Sequence, residues 1–208
     1  GAILVTDADS PIGEQIVLQL ILARAVIRAV VKDTTAARTA YGPYVTPVSL
    51  DTGNADQLRR VLKGCGSVVC AGRPGAWLEA AAAEGVAHVV LLSAVGQAQG
   101  GFMASLLGDD LAPLRDPARE AAVVQCGRRY SIVRVAGAVD SPGGQSALSL
   151  LPGTASLQGG PQQPVSREDL AAVVVQALLR PPTAGRTFQV VPSAGSPVTD
   201  WGALFAGL

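Results

Sequence analysis

A short segment near the start of the chain, V-T-D-A-D-S-P-I-G at residues 5–13, joins an apolar run to a helical pattern. Strand–turn–helix segments of this kind bind the diphosphate of a dinucleotide when three glycines stand in the turn. The first glycine makes the tight turn, the second lets the diphosphate approach the backbone, and the third lets the helix pack on the strand. Aligned on the end of the strand, those positions are Asp7, Ser10 and Gly13, so only the last glycine is present.

The charge of this segment opposes a bound diphosphate. Asp7 and Asp9 place two carboxylates beside a helix N-terminus, which carries roughly half a positive charge and several unpaired N–H groups. Ser10 or Asp9 can cap those groups, and Pro11 suits the first helical position. Asp adopts positive φ more readily than most residues, so Asp7 can preserve the shape of the turn. Two interpretations stay open: a well-capped helix start without a ligand, or an altered turn that still binds a cofactor.

Strand and helix patterns alternate along the rest of the chain. Short apolar runs separated by helical patterns indicate crossover units and a parallel sheet covered on both faces. We therefore predict an α/β fold, a doubly wound parallel sheet with strand order 3-2-1-4-5-6 and a possible added edge strand, in one domain spanning residues 1–208. The predicted strands are residues 2–6, 26–31, 44–50, 67–70, 87–93, 130–136 and 187–191, and the predicted helices are residues 11–25, 54–64, 76–85, 116–127 and 167–180.

Two Gly-rich segments interrupt this alternation, at residues 95–113 and 140–166. In the predicted order they follow strands five and six, at the sheet edge where doubly wound folds bind their ligands. We interpret the second segment as a reduced substrate lobe. Each segment contains a small apolar island, at residues 100–108 and 146–153, which either docks on another protein or folds back over the crevice.

Composition narrows the function classes. The chain of 208 residues has 16 basic and 16 acidic residues, and this balance argues against a nucleic-acid binder. No apolar run is long enough to span a bilayer. The three cysteines, Cys65, Cys70 and Cys126, fit no zinc or redox pattern, and we interpret them as small apolar residues in a reducing compartment. We predict no metal site.

The order and spacing of further motifs resemble the atypical short-chain dehydrogenase/reductases, in particular the NmrA-like branch, over nearly the whole chain. The opening turn is similar to that family's V-T-G-A-T-G-x-I-G. I-R-A-V-V-K-D at residues 27–33 is similar to V-R-A-L-V-R-D, and G-V-A-H-V-V-L-L-S-A-V-G at residues 85–96 to G-V-K-R-F-V-L-V-S-S-L-G. R-R-Y-S-I-V-R-V-A-G at residues 128–137 and the late helix P-V-S-R-E-D-L-A-A-V-V-V-Q-A-L-L-R-P at residues 164–181 also match family segments.

The resemblance implies where a dinucleotide would bind if binding is retained. Lys32 stands where the family's basic residue contacts the 2′-phosphate, which favours NADP over NAD, although an ordinary solvated lysine explains it equally well. Asp51 corresponds to the acid beside the adenine, and Ala71 and Gly72 to the nicotinamide side. The implied cofactor-binding residues are Asp7, Ser10, Ile12, Gly13, Lys32, Asp51, Ala71, Gly72 and Ser93.

The catalytic pair of active family members is absent. In those members a Tyr-x-x-x-Lys pair follows the fifth strand; the tyrosine supplies a proton and the lysine lowers its pKa. This chain has no tyrosine between Tyr44 and Tyr130 and no lysine after Lys63. Arg115 and Arg119 lie near that place but cannot relay a proton, because a guanidinium stays charged. We assign no catalytic residue, and we expect the single histidine, at position 88, to be structural.

Two functions remain. The first is a non-catalytic scaffold or assembly and repair factor, without a cofactor, bound to protein subunits of a larger complex. The second is an NADPH-dependent reductase or an NADPH-sensing regulator of the NmrA-like type.

The resemblance also suggests a location. Similar family members in cyanobacteria and plastids are attached to photosystem assembly or thylakoid complexes, and a start without Met and an Ala/Gly-rich composition are compatible with a processed plastid protein. We therefore expect the chloroplast stroma or the stromal face of the thylakoid, with possible peripheral membrane association; a bacterial cytoplasm fits the composition equally well.

Overall fold

The computed structural model describes residues 1–95, 111–153 and 163–208 of the chain. In those ranges the strands are β1 (Ala2–Val5), β2 (Ile27–Val30), β3 (Val45–Val48), β4 (Cys65–Cys70), β5 (His88–Ala94), β6 (Arg129–Val135), β7 (Ala138–Val139), β8 (Ala147–Pro152), β9 (Val165–Ser166) and β10 (Gly185–Ser193). The helices are α1 (Pro11–Leu22), α2 (Thr34–Tyr41), α3 (Ala55–Leu62), α4 (Gly75–Ala83), α5 (Pro117–Gln125), α6 (Arg167–Leu179) and α7 (Trp201–Ala206).

Eight of these strands form one sheet in the order β3-β2-β1-β4-β5-β6-β10-β8. Neighbouring strands from β3 to β10 run parallel, and β8 joins β10 antiparallel. The predicted doubly wound sheet with order 3-2-1-4-5-6 is therefore confirmed, with β10 and β8 as added strands. The chain reverses its direction across the sheet between β1 and β4, and such folds bind ligands outside the carboxyl ends of the strands at this switch point.

Aliphatic side chains cover both faces of the sheet. Side chains of α1, α2, α6 and α7 pack on one face, and those of α3, α4 and α5 pack on the other. In α1 the buried residues include Ile12, Ile16 and Leu20, which are spaced four apart and therefore share one side of the helix. All seven residues of β5 are buried, as expected for a central strand with helices above and below.

The sequence prediction missed five elements: α2, α7 and the strands β7, β8 and β9. α2 and α7 were not predicted; α2 buries only Ala37, so its apolar periodicity is weak, and it depends on Asp33, whose carboxylate accepts from the amides of Thr35 and Ala36. β8 lies within residues 140–166, the second Gly-rich segment, for which no strand was predicted. It forms because its backbone pairs with β10, 35 or more residues away in the sequence, and local composition does not reveal such a partner.

The structure also bears on the cysteines and on the question of a membrane-spanning helix. Cys65 and Cys70 are buried, Cys126 is half-buried, and all three are free thiols. Within the described ranges, no helix combines the length and the apolar character needed to cross a membrane.

His88 is buried at the start of β5, the opposite end of the strand from the carboxyl ends. Its Nε2 lies 3.0 Å from the Ser131 hydroxyl on β6, and its buried Nδ1 has no hydrogen-bond partner in the described part of the chain. Burial, with the charges of Arg129 and Arg186, lowers the pKa of His88 to about 4. The folded protein thus holds the neutral imidazole.

We expect this histidine to make the fold sensitive to acid. Because its folded pKa is depressed, its contribution to stability is complete above the ordinary value of about 6.5 and is lost as the pH falls toward about 4. The free energy of unfolding should fall by at most about 3 kcal/mol over that range on this account. The free energy of unfolding, measured by urea denaturation at several pH values in this range, should decrease less with falling pH for His88→Gln than for the wild type. The same decrease in both proteins would contradict the assignment.

Candidate functional site

The turn between β1 and α1 keeps the backbone shape of a dinucleotide turn. Asp7 has a φ of 47°, in the left-handed region. The Ser10 hydroxyl caps α1: its oxygen accepts from the Gly13 amide at 3.1 Å and donates to the Asp7 carbonyl oxygen at 2.7 Å. A Cβ on Gly13 would lie 2.8 Å from the Ala8 Cα, so the close packing of helix on strand requires glycine here. Ile12 buries its side chain in the core.

The two carboxylates of the turn point in different directions, and neither caps the helix. The Asp9 carboxylate accepts from the Lys32 amide at 2.9 Å, at the end of β2. The Asp7 carboxylate lies against Gly72 at the end of β4, where a Cβ on that glycine would overlap with it. Of the two caps that the sequence allowed, Ser10 is therefore the one formed, and only Asp7 reaches into the crevice between β1 and β4.

A buried arginine joins α5 to the same strand end. Arg119 donates from Nε to the Gly72 carbonyl oxygen at 3.1 Å, from Nη2 to the same oxygen, and from Nη1 to the Leu114 carbonyl oxygen at 3.0 Å. Burial lowers the pKa of this guanidinium, and nearby negative charges, including those of Asp116 and Asp7, oppose the shift. Arg119 thus serves as a crosslink near the place where the resemblance to the short-chain dehydrogenase/reductases implies a Tyr-x-x-x-Lys pair.

The next residue of α5, Glu120, forms a second internal network. Its Oε1 accepts from the Ser93 hydroxyl at 2.7 Å and from Arg134 Nε at 3.0 Å, and its Oε2 accepts from Arg134 Nη2 at 2.7 Å. Arg134 also donates to the Gly153 carbonyl oxygen at 3.1 Å, next to β8. Burial alone would raise the pKa of Glu120, but the hydrogen bonds from Arg134 and Ser93 and the adjacent positive charges hold it below its ordinary value.

The surroundings of Lys32 are acidic. A cleft of about 200 Å³ between α1 and α2 is lined by Lys32 together with the carboxyl-bearing residues Asp9, Glu14 and Asp33, and by Tyr41. Burial, followed by the charges of Glu14 and Asp9, raises the pKa of the Tyr41 hydroxyl. A 2′-phosphate bound to the Lys32 ammonium would therefore lie among negative charges.

The structure brings together five of the nine candidate residues at the crevice: Asp7, Ser10, Gly13, Ala71 and Gly72. The Ala71 amide donates to the Thr6 hydroxyl at 3.1 Å, which ties the ends of β4 and β1. Lys32 joins the turn through Asp9. Asp51 lies after β3 and accepts from the Gly53 amide at 2.9 Å in a local turn before α3, and Ser93 lies on β5 with Glu120.

Sequence reasoning missed Thr6 and Glu120 and did not foresee the crosslink made by Arg119. One signal was available for Glu120. Ser93 and Arg134 are direct partners in the register of β5 and β6, and Glu120 is the single acid of the helix between those strands. A half-buried arginine beside a serine favours a nearby acceptor, and that helix offers one. The described residues contain no group of three or more His, Cys, Asp or Glu that could hold a metal ion.

A model of the NAD(P)H-binding protein family matches residues 8–181. The chain belongs to this family. No curated protein sequence matches the chain significantly.

Solved structures with the same fold include several relatives of this NAD(P)H-binding family member. A Rossmann-fold NAD(P)-binding family protein from Shigella flexneri is 16% identical, with a TM-score of 0.72 over 96% of this chain and 97% of that chain. The anaerobilin reductase ChuY from Escherichia coli O157:H7 is 15% identical, with a TM-score of 0.70 over 95% and 100%. A short-chain dehydrogenase/reductase from Veillonella parvula in complex with NADP is 14% identical, with a TM-score of 0.72 over 95% and 96%.

The crevice of this family member fits a dinucleotide in backbone shape but not in charge. The left-handed turn at Asp7 and the close packing at Gly13 reproduce the frame that such ligands use. A diphosphate at the switch point between β1 and β4 would, however, meet the Asp7 carboxylate. Arg119, which could compensate that charge, already binds two backbone carbonyls.

We expect Glu120→Gln to destabilise the fold, because it leaves Arg134 half-buried without its carboxylate. The free energy of unfolding should fall by about 2 kcal/mol at neutral pH, the order of a charged hydrogen-bonded pair. The folded pKa of Glu120 is depressed, so the wild-type advantage should be present above the ordinary carboxyl value of about 4.3 and vanish as the pH falls through the folded pKa. Chemical denaturation as a function of pH measures both effects.

The matched control is Glu79→Gln, since Glu79 is an exposed carboxyl on α4. It should change the free energy of unfolding by less than about 0.5 kcal/mol. Equal effects of the two substitutions would show that the Glu120 network does not stabilise the sheet.

Proposed function

We propose that this chain is a non-catalytic Rossmann-fold scaffold, or an assembly and repair factor, that works as a subunit of a larger protein complex. The observation that carries the proposal is the bonding of the ionisable side chains of α5. This helix has two ionisable side chains, Arg119 and Glu120, and both are committed to bonds within the protein. No group on this helix is available to donate a proton in the way that the tyrosine of active short-chain dehydrogenases does.

The charge of the crevice supports the same proposal. Catalysis by an NAD(P)-dependent reductase requires a bound dinucleotide, and the diphosphate of that ligand would share the switch-point crevice with the Asp7 carboxylate. A fold alone does not determine function, because function depends on the site. If side chains of the protein occupy the ligand site, the retained fold can still provide a surface that binds other proteins.

Exposed apolar side chains support a role in protein binding. Leu22 and Val26, at the end of α1 and just after it, are 75% and 69% exposed, and Leu18 and Leu179 are 43% and 59% exposed. A groove of about 510 Å³ between α1 and α6 also includes Leu22 in its lining, together with Trp201. Apolar surface of this kind in a soluble domain marks interaction sites when it is contiguous.

Of the two predicted docking segments, only one lies within the described residues. Residues 100–108 lie outside the described residues. Residues 146–153 contain β8, which is an edge strand of the sheet with Ala147 and Leu148 buried. An edge strand offers unpaired backbone groups to a strand of another protein, so we retain this segment as a proposed docking site.

The location remains part of the proposal. The resemblance to NmrA-like proteins of plastids and cyanobacteria favours the chloroplast stroma or the stromal face of the thylakoid, with a photosystem or another thylakoid assembly as the larger complex. A bacterial cytoplasm is the alternative.

The second candidate function is an NADPH-dependent reductase or an NADPH-sensing regulator. Membership of the NAD(P)H-binding family favours it, as does the preserved backbone shape at Asp7 and Gly13. The solved structures that are similar to this chain include the anaerobilin reductase and the dehydrogenase/reductase in complex with NADP.

NADPH titration separates the two functions. By the scaffold proposal, the fluorescence of NADPH should show no saturable change with a Kd below about 1 mM. The control variant is Lys32→Ala, which removes the ammonium that would contact a 2′-phosphate. Micromolar binding by the wild type that weakens in this variant would contradict the scaffold and support the reductase or sensor.

Native fractionation of the source cells provides the positive test. The scaffold proposal expects the chain to migrate with a large complex, and pull-down followed by mass spectrometry should identify the same subunits repeatedly. Migration as a free monomer in every fraction would count against it.

A further inference from the structure

We propose that Asp7 excludes a dinucleotide from this protein because its carboxylate is a built-in anion that stands in the crevice where the ligand's diphosphate would lie. The inference deepens the proposed function and rests on it, since it assigns the loss of cofactor binding to one charge. The sequence alone suggested a pair of acids at the helix tip; the structure separates them and leaves one residue in the crevice.

The position of the carboxylate follows from the two strands at the switch point. β1 and β4 are parallel neighbours, with Val5 opposite Val69 in the register. Asp7 follows β1, and Gly72 follows β4. The Asp7 carboxylate lies where a side chain on Gly72 would be, so it crosses from one strand end to the next. In a doubly wound sheet a bound dinucleotide lies across the crevice at this point.

The backbone holds Asp7 in this place. Its carbonyl oxygen accepts from the Ser10 amide at 3.0 Å and from the Ser10 hydroxyl at 2.7 Å. Its φ of 47° is one that Asp and Asn tolerate better than other residues with side chains. The direction of the Cα–Cβ bond is therefore set by the turn itself, and it is toward β4.

The other two acids near the start of α1 do not share this role. Asp9 turns toward β2 and binds the Lys32 amide. Glu14 is exposed in the first turn of the helix and lines the cleft between α1 and α2 instead. Asp7 is thus the one acid of the three that contacts the end of β4.

The positive charge of Arg119 lies close enough to interact with the Asp7 carboxylate. Its guanidinium binds the carbonyl oxygen of Gly72, the residue that the Asp7 carboxylate contacts. The crevice therefore already contains one anion and one cation, and a diphosphate would add negative charge beside the anion. Removal of the Asp7 charge leaves the positive charge of Arg119, which stays bonded to the Gly72 carbonyl, without this neighbouring anion, so its field would favour an incoming anion at the same place.

Two substitutions separate charge from volume. Asp7→Asn preserves the size of the side chain and tolerates the left-handed φ, but removes the charge. Asp7→Gly removes the side chain and restores the residue type that dinucleotide turns use at this position. Glu14→Gln is the matched control, because it removes one negative charge from the same helix start without entering the crevice.

The experiment is a fluorescence titration of the purified full chain with NADH and with NADPH, with circular dichroism and thermal unfolding of each variant to establish that it is folded. We expect Asp7→Asn to bind at least one of the two about tenfold or more tightly than the wild type, and Asp7→Gly at least as tightly as Asp7→Asn. Glu14→Gln should stay within about twofold of the wild type for NADH, which has no 2′-phosphate to enter the cleft that Glu14 lines.

The possible failures are distinct. Folded Asp7 variants that bind no more tightly than the wild type would overturn this inference and leave the scaffold proposal standing. Tightening in Asp7→Gly alone would overturn it as well, because volume and not charge would then exclude the ligand. Micromolar binding by the wild type itself would overturn the proposed function.

Discussion

The ends of β1 and β4 are bonded to one another directly, and the rest of the site depends on that bonding. In a doubly wound sheet these ends diverge enough to admit a ligand between the loops that follow them. Here the Thr6 hydroxyl accepts from the Ala71 amide, the Asp7 carboxylate lies on Gly72, and Arg119 binds the carbonyl of the same glycine. A buried guanidinium is costly unless its donors are bonded, so the position of α5 is set by the carbonyls that Arg119 reaches.

The ionisable side chains of the same helix are bonded within the protein. The resemblance to the short-chain dehydrogenase/reductases implies a proton-donating tyrosine and a lysine in this region. Arg119 and Glu120 hold charges that do not move at neutral pH, because a guanidinium stays protonated and the pKa of Glu120 is held below its ordinary value. The bonds from Glu120 to Ser93 and Arg134 join α5 to β5 and β6, and Arg134 extends the network to Gly153 after β8.

Apolar periodicity was enough to predict most of the fold. The runs that became β4, β5 and β6 contain consecutive apolar residues, which only a sheet covered on both faces accommodates, and the spacing of Ile12, Ile16 and Leu20 was sufficient for α1. β8 could not be predicted in this way, since its stability comes from a distant partner, β10. In the site, the residue types at the turn were readable from the sequence. The divergence of Asp7 and Asp9 was not, because it depends on the side-chain directions imposed by a left-handed residue and on the amide of Lys32.

The exposed apolar side chains at the end of α1 and just after it affect how the purified protein behaves in solution. Its formal net charge at neutral pH is zero, so copies in solution do not repel one another over long distances. The exposed apolar side chains of Leu22 and Val26 can then contact a neighbouring copy of the protein. The purified protein should therefore associate most readily near its isoelectric point of about 6.8, and buffers away from that pH should keep it dispersed.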